Sequence, residues 1–393
     1  MVPTDALTST LTSSSASDVL DGLVAARAAT LALVAPLTDE QLERAHSPIM
    51  SPLVWDLGHI AAYEDLWIGH RIGGLELLRG DLAALYDAFE TPRAVRGDIE
   101  VLRADAARAY LADVRERTVR TLSERPLDAR AAVIGEMVVR HELQHCETMR
   151  QTLAIAGLLA PGDAAARDRP IEPSDAALAP SGVAAAGGGG RDWLAVAAGP
   201  FELGAPSEGF AYDNERPRHV ATTGAFEIAR LPVTNAAWLR FAADGGYERR
   251  ELWSEPGWAW LSEQQQRQHA SIAAGDPHAP VCHVSWWEAE AFARASDARL
   301  PSEAEWEKAA GSGELDALGR VWEWTQSEFD GYPAFVAHPY REYSEVFFAS
   351  GYRVLRGSSW ATDARVASVH FRNWDLPQRR QIFSGVRLAR DAR

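Results

Sequence analysis

Arg140-His141-Glu142-Leu143-Gln144-His145 is the stretch whose reading decides the first half of this chain. It lies inside a proline-free run from Arg130 to Ala156. There Val133, Met137, Val138, Leu143 and Met149 recur at helical spacing, which predicts one long helix. Residues four apart share a helix face with Cβ atoms about 5–6 Å apart. His141 and His145 can therefore grip one metal ion and leave coordination positions open. The same letters also fit the pattern H-E-x-x-H, in which Glu142 would act as a general base over zinc.

Working outward, Ser51-Pro52-Leu53-Val54-Trp55-Asp56-Leu57-Gly58-His59 reads as the opening of a second helix. Ser51 suits the N-cap and Pro52 the first turn. His59 falls about two turns in, ahead of Ile60, Tyr63, Leu66 and Trp67. Three imidazoles converging from facing helices would make an all-nitrogen site, a common arrangement in helical bundles. Such a donor set suits iron, copper, nickel or zinc and does not choose among them.

Ser17–Leu37, Pro52–Gly73, Ile99–Ser123 and Leu127–Leu159 are the long helix candidates, predicting a four-helix bundle over residues 17–160. Residues 161–191 carry Pro161, Pro170, Pro173, Pro180 and the run Gly187–Gly190, which predicts a linker that contributes nothing to the site. From residue 192 to 393 the sequence turns to tryptophan, glycine and short apolar stretches, predicting a loop-rich α+β domain. Strands are expected at Phe201–Gly204 and Phe226–Ala229, and helices at Asn235–Ala243, where Thr234 offers a cap, and Trp286–Ala295.

Composition narrows the function classes. A net charge of −16, from 39 basic and 55 acidic residues, argues against a nucleic-acid partner. The two cysteines, Cys146 and Cys282, build neither a disulfide framework nor a zinc ribbon, and Cys146 is expected in the core. No apolar run approaches a membrane span, and the Ser/Thr-rich start is not a signal peptide, so a cytoplasmic protein is expected.

The second half resembles the formylglycine-generating-enzyme (sulfatase-modifying-factor) domain, a relative of C-type lectin folds. The resemblance rests on Asp213-Asn214-Glu215-Arg216-Pro217-Arg218-His219-Val220, Pro280-Val281-Cys282-His283-Val284-Ser285-Trp286, Arg299-Leu300-Pro301-Ser302-Glu303-Ala304-Glu305-Trp306-Glu307, Gly319-Arg320-Val321-Trp322-Glu323-Trp324-Thr325 and Leu355-Arg356-Gly357-Ser358-Ser359-Trp360. Formylglycine generation needs a copper-binding cysteine pair near the C-terminus, and Ala364–Arg372 has none. The first half resembles a DinB-like bundle through Pro48–His59. Together with the stretch Phe371–Arg387, the whole resembles the ergothioneine-biosynthetic sulfoxide synthases, or hercynine oxygenases, of the actinobacterial type.

That resemblance implies an Fe(II) cofactor on His59, His141 and His145, with O₂ as co-substrate. It implies a reaction joining the sulfur of γ-glutamylcysteine to C2 of the hercynine imidazole, giving a sulfoxide. It points to a catalytic tyrosine within Tyr332–Tyr343, taken as Tyr340 over Tyr343. It assigns substrate contacts to Gln144, Asn373 and Trp374 for hercynine, and to Arg93, Arg96, Asp375 and Arg379 for the thiol. Tyr63 stands where the family pattern has glutamine, which leaves open a selenosugar in place of the thiol. A non-catalytic binding protein of the same architecture is the reading from another class.

Overall fold

The computed structural model describes residues 16–124, 127–171, 193–264, 272 and 274–392. The chain divides into two compact units. The first ends at Leu159 and includes Ser207–Phe210; the second takes the remainder from Ala160. Gly187–Gly190, at the heart of the predicted linker, lies outside the described residues.

Four long helices build the first unit: α1 (Ala16–Val34), α3 (Leu53–Glu64), α4 (Ala104–Glu124) and α5 (Ala129–Ala156), with a short α2 (Asp39–Glu43) between the first two. Asp128 caps α5 by accepting from Ala131 N–H, and Gly157 ends it in a left-handed conformation. The expected helix through Gly73 is α-helical only to Glu64 and continues as a π-helix, Asp65–Ile72. The third helix starts at Ala104 rather than Ile99. Its first amide, Ala104 N–H, is satisfied by the Glu43 carboxylate at 3.0 Å, a cap supplied from α2.

The bundle buries Leu53, Val54, Leu57, Ile60, Leu111, Val114, Met149 and Leu153 in one cluster, which also takes in Cys146. Each such leucine stabilises the fold by roughly 1.5–3 kcal/mol relative to exposure. Charge lies in the same interior. Arg27 bonds Glu142 at 2.8 Å and Glu64 at 2.9 Å, and Arg115 bonds Glu64 at 2.8 Å and Glu142 at 3.1 Å. Two guanidinium groups thus balance two carboxylates, each carboxylate 1% exposed.

The second unit begins with α6 (Pro161–Arg167), whose N1 proline suits a helix start inside the stretch read as linker. Three small sheets follow. β1 (Trp193–Val196), β4 (Phe226–Ala229) and β9 (Ala389–Asp391) form one, β2 (Gly199–Leu203) pairs with β3 (His219–Thr223), and the third runs in the order β7 (Asn373–Asp375), β6 (Arg353–Arg356), β5 (Trp322–Glu328), β8 (Ser384–Gly385). The helices are α7 (Asn235–Ala243), α8 (Glu255–Glu263), α9 (Trp286–Ala295) and α10 (Glu303–Ala310). Ser285/Glu288 and Ser302/Glu305 form capping boxes at the starts of α9 and α10. Trp306 of α10 packs with Phe226, Ile228 and Ala389 in the core of this unit. No helix among the described residues is long and apolar enough to cross a membrane.

Candidate metal centre

In the first unit, α3 and α5 bring His59, His141 and His145 together. One ring nitrogen from each lies within 4.8 Å of the others. His59 Nδ1 is 2.6 Å from the Tyr86 carbonyl, which can only accept, so Nδ1 carries the proton and Nε2 is left bare. His145 Nδ1 lies 3.1 Å from Asp56 Oδ1, which accepts from it and leaves Nε2 as the candidate ligand atom. His141 Nε2 sits 3.1 Å from His59 Nε2. Two ligand nitrogens at right angles, each about 2.1 Å from a common cation, would be separated by about 3.0 Å, so this spacing fits a metal. Burial, and then the neighbouring His145, hold the His59 and His141 pKa values well below the ordinary histidine value, which keeps both rings neutral and ligand-ready.

Aromatic packing fixes the imidazoles. Trp55 stacks on His59 at 4.8 Å and 14°, and Tyr63 stacks on His141 at 3.6 Å and 10°. The Tyr86 ring lies against Gly58, where a Cβ would meet its Cζ at 2.2 Å. Only glycine allows that approach, so Gly58 is tied to the carbonyl that anchors His59.

Glu142 is not available as a general base over a metal. It is turned into the bundle, where Oε1 accepts from Arg27 and Thr30 and Oε2 from Arg115. Adjacent helix positions point about 100° apart, which separates it from the ligand face.

Of the residues assigned to substrate in this unit, Gln144 is half-buried on α5, between the two histidines. Arg96 is buried. Its guanidinium donates to the Thr91 and Ala88 carbonyls and to Ser51 Oγ, and lies 3.5 Å over the Trp55 ring. No carboxylate pairs with it among the described residues. Burial, then the Arg93 charge, push its pKa down to about 10. Arg93 opens the adjacent turn, Arg93–Val95, and is half-exposed.

The second unit gathers its own set. Asn373, Trp374 and Asp375 form β7, with Trp374 stacked on Phe329 at 4.2 Å and edge-on to Tyr343 at 6.0 Å. Tyr343 meets Tyr340 edge-to-face at 6.2 Å. Asp375 pairs with Arg379 at 3.6 Å and accepts from Gln381 at 3.1 Å, while Arg379 Nη1 is buried with no hydrogen-bond partner.

Sequence reading missed Asp56, Trp55 and Tyr86 as supports of the ligands. Asp56 and Trp55 were within reach, because they precede His59 by three and four positions and share its helix face. Tyr86 carries no local signal, since the anchoring atom is a backbone carbonyl.

A helical bundle with a cluster of three imidazoles, followed in the chain by a loop-rich unit of three small sheets, defines a two-part protein with a candidate metal site. The sequence matches follow the same division. The DinB superfamily matches residues 23–149, and the sulfatase-modifying factor enzyme 1-like domain matches residues 184–318 and 313–392. The hercynine oxygenase of Mycolicibacterium thermoresistibile is 39% identical across 94% of each chain, and that of Mycobacterium tuberculosis is 39% identical across 94% of this chain and 97% of its own. A formylglycine-generating enzyme of Streptomyces coelicolor is 32% identical over 39% of this chain and 56% of its own. The chain belongs to the hercynine oxygenase family.

Proposed function

We propose that this protein is an iron-dependent hercynine oxygenase that joins the thiol sulfur of γ-glutamylcysteine to C2 of hercynine with O₂, forming a sulfoxide. The observation that carries this reading is the convergence of three imidazoles, with His59 Nδ1 and His145 Nδ1 each tied to an acceptor so that their Nε2 atoms are left for a metal, in a chain that aligns with hercynine oxygenases over nearly its full length. The stoichiometry balances. A C–H and an S–H are lost, a C–S bond and an S–O bond form, and the four electrons reduce O₂ to the sulfoxide oxygen and one water.

His59, His141 and His145 hold the ion, Asp56 and the Tyr86 carbonyl fix the orientation of two of the rings, and Tyr63 packs on the third. When bound, ferrous iron supplies open positions for dioxygen and thiolate together with the redox chemistry. Arg93 and Arg96 lie near each other with no carboxylate paired to Arg96, so a substrate carboxylate supplies the missing counter-charge. This favours a dicarboxylate thiol over a neutral selenosugar. Asp375 and Arg379, already paired with each other, match the ammonium and carboxylate of an amino-acid head group. Trp374 offers an aromatic face to a trimethylammonium group, with Asn373 and Gln144 as polar contacts. Tyr340 Oη–H is the proton donor.

Anaerobic reconstitution with Fe(II), followed by air, hercynine and a panel of thiols and a selenosugar, tests the proposal. Mass spectrometry should find the γ-glutamylcysteine sulfoxide adduct. A chain that binds no iron, or one that forms no C–S product with any donor, defeats it.

A further inference from the structure

Asp213 is a buried carboxylate that the reaction does not use. It opens the single turn Asp213–Glu215 and is 6% exposed. No cation pairs with it among the described residues. The charged groups around it offer no compensation. Glu345 adds repulsion and is itself paired with Arg341, and Arg372 spends a donor on the Asn214 carbonyl next door. Burial pushes the Asp213 pKa up to about 6, although the Ser344 hydroxyl and the His338 and Asn214 amides favour the ionised form. An uncompensated buried carboxylate costs stability, so what it holds in return is informative.

It holds one segment at both ends. His338 N–H donates to Asp213 Oδ2 at 3.4 Å, and Ser344 Oγ donates to Asp213 Oδ1 at 2.7 Å. Ser344 is fully buried and begins the turn Glu345–Phe347, yet its hydroxyl caps nothing there and is given to Asp213 instead. Between the two grips runs Pro339–Tyr343. The neighbouring Tyr212 ring stacks on Tyr343 at 4.8 Å and 4°, and Tyr343 in turn meets Tyr340 edge-to-face. The residue pair Tyr212–Asp213 therefore fixes the segment by its backbone, by a side chain and by a ring.

We infer that Asp213 is a positioning residue, clamping the 338–344 segment so that the Tyr340 phenol is presented in one orientation; this rests on Tyr340 acting as the proton donor. Its effect falls on kcat rather than on substrate binding, because a displaced donor leaves the binding groups in place.

The test uses the full-length, iron-loaded protein with Asp213→Ala, Asp213→Asn, Ser344→Ala and Tyr340→Phe. Hydrogen exchange at amides 338–344 should rise by about 10-fold or more in Asp213→Ala, with smaller rises elsewhere. Its kcat should fall by at least about 10-fold while the KM for hercynine stays within about threefold. Asp213→Asn, which keeps an acceptor oxygen, should recover most of the protection and the rate. Ser344→Ala removes a single hydroxyl and should show a milder form of the same pair of effects, which keeps the inference testable if Asp213→Ala does not fold. Unchanged exchange in both Asp213→Ala and Ser344→Ala, or loosened exchange with unchanged kcat, overturns it. Full turnover by Tyr340→Phe instead overturns the role of Tyr340, while the exchange data still decide whether the clamp exists.

Discussion

On the proposed reading, iron binding depends on single atoms behind the three histidines as much as on the histidines themselves. His141→Ala and His145→Ala should each lose iron after reconstitution, read by metal analysis and by O₂ consumption, with the bundle's helical signal retained. Turnover at the parental rate by either variant would remove that residue from the ligand set. Asp56 is the subtler case. It is buried, its Oδ1 holds the His145 Nδ1–H, and its Oδ2 has no hydrogen-bond partner. Asp56→Ala should weaken iron binding by about 10–100-fold, the usual cost of losing such a support, and iron titration monitored by a bound-metal signal reads it directly. Gly58→Ala forces a Cβ into the Tyr86 ring and should cost about 1–3 kcal/mol in denaturant unfolding, alongside weaker iron binding. A Gly58→Ala protein with unchanged stability would show that Tyr86 can yield freely. The convergence of His141 and His145 was legible from sequence because i, i+4 spacing has a geometric meaning, and the part of Tyr86 was not because its contribution is a carbonyl brought in by folding.

At the scale of elements, helices with local caps were legible and those with tertiary caps were not. Thr234 announces α7, and the Ser285/Glu288 box announces α9. The Ser302/Glu305 box marks the start of α10 by the same local chemistry. The start of α4 is set by Glu43, far away in sequence, and no local pattern marks it. The switch from α- to π-helix after Glu64 likewise leaves the apolar periodicity nearly unaltered. The interior ion network joins α1, α3, α4 and α5 and gives a prediction of its own. Burial tends to raise the Glu64 pKa, but hydrogen bonding to Arg115, followed by the charges of Arg115 and Arg27, outweighs it and leaves it below the ordinary value of 4.5. A carboxylate with a depressed folded-state pKa contributes stability above its unfolded value. That contribution is lost as pH falls through the folded value. Unfolding free energy should therefore fall on acidification below about pH 4.5, and more shallowly in Glu64→Gln. Glu64→Ala, which leaves two buried arginines sharing the single carboxylate of Glu142, should cost about 3–5 kcal/mol at neutral pH. An acid limb of the same slope in both proteins would mean that Glu64 is not its source.

For the molecule as a whole, the order of a helical half and a loop-rich half was legible in composition, whereas the small-sheet arrangement of the second was not. Its strands are three to seven residues long in the main, and some pair across large sequence gaps, as β4 does with the C-terminal β9. Whole-molecule charge bears on the thiol. A chain of net charge −16 repels an anionic peptide at long range, so recognition must come from guanidinium groups placed locally. On the proposed reading Arg93 and Arg96 would be such a pair, and Arg379 keeps a buried Nη1 without a hydrogen-bond partner. γ-Glutamylcysteine, with two carboxylates, should therefore outcompete free cysteine, each lost charged contact weakening binding by about 1.5–3 kcal/mol. Arg379→Ala should raise the KM for the peptide by about tenfold or more and leave the KM for hercynine within about twofold. Steady-state kinetics with each substrate varied in turn separates the two effects. A thiol KM that does not move would take Arg379 out of the thiol site. A clear preference for a neutral selenosugar would show that the arginines hold the fold rather than the substrate, a role for which Arg96, packed on Trp55 and the Thr91 and Ala88 carbonyls, already has the contacts.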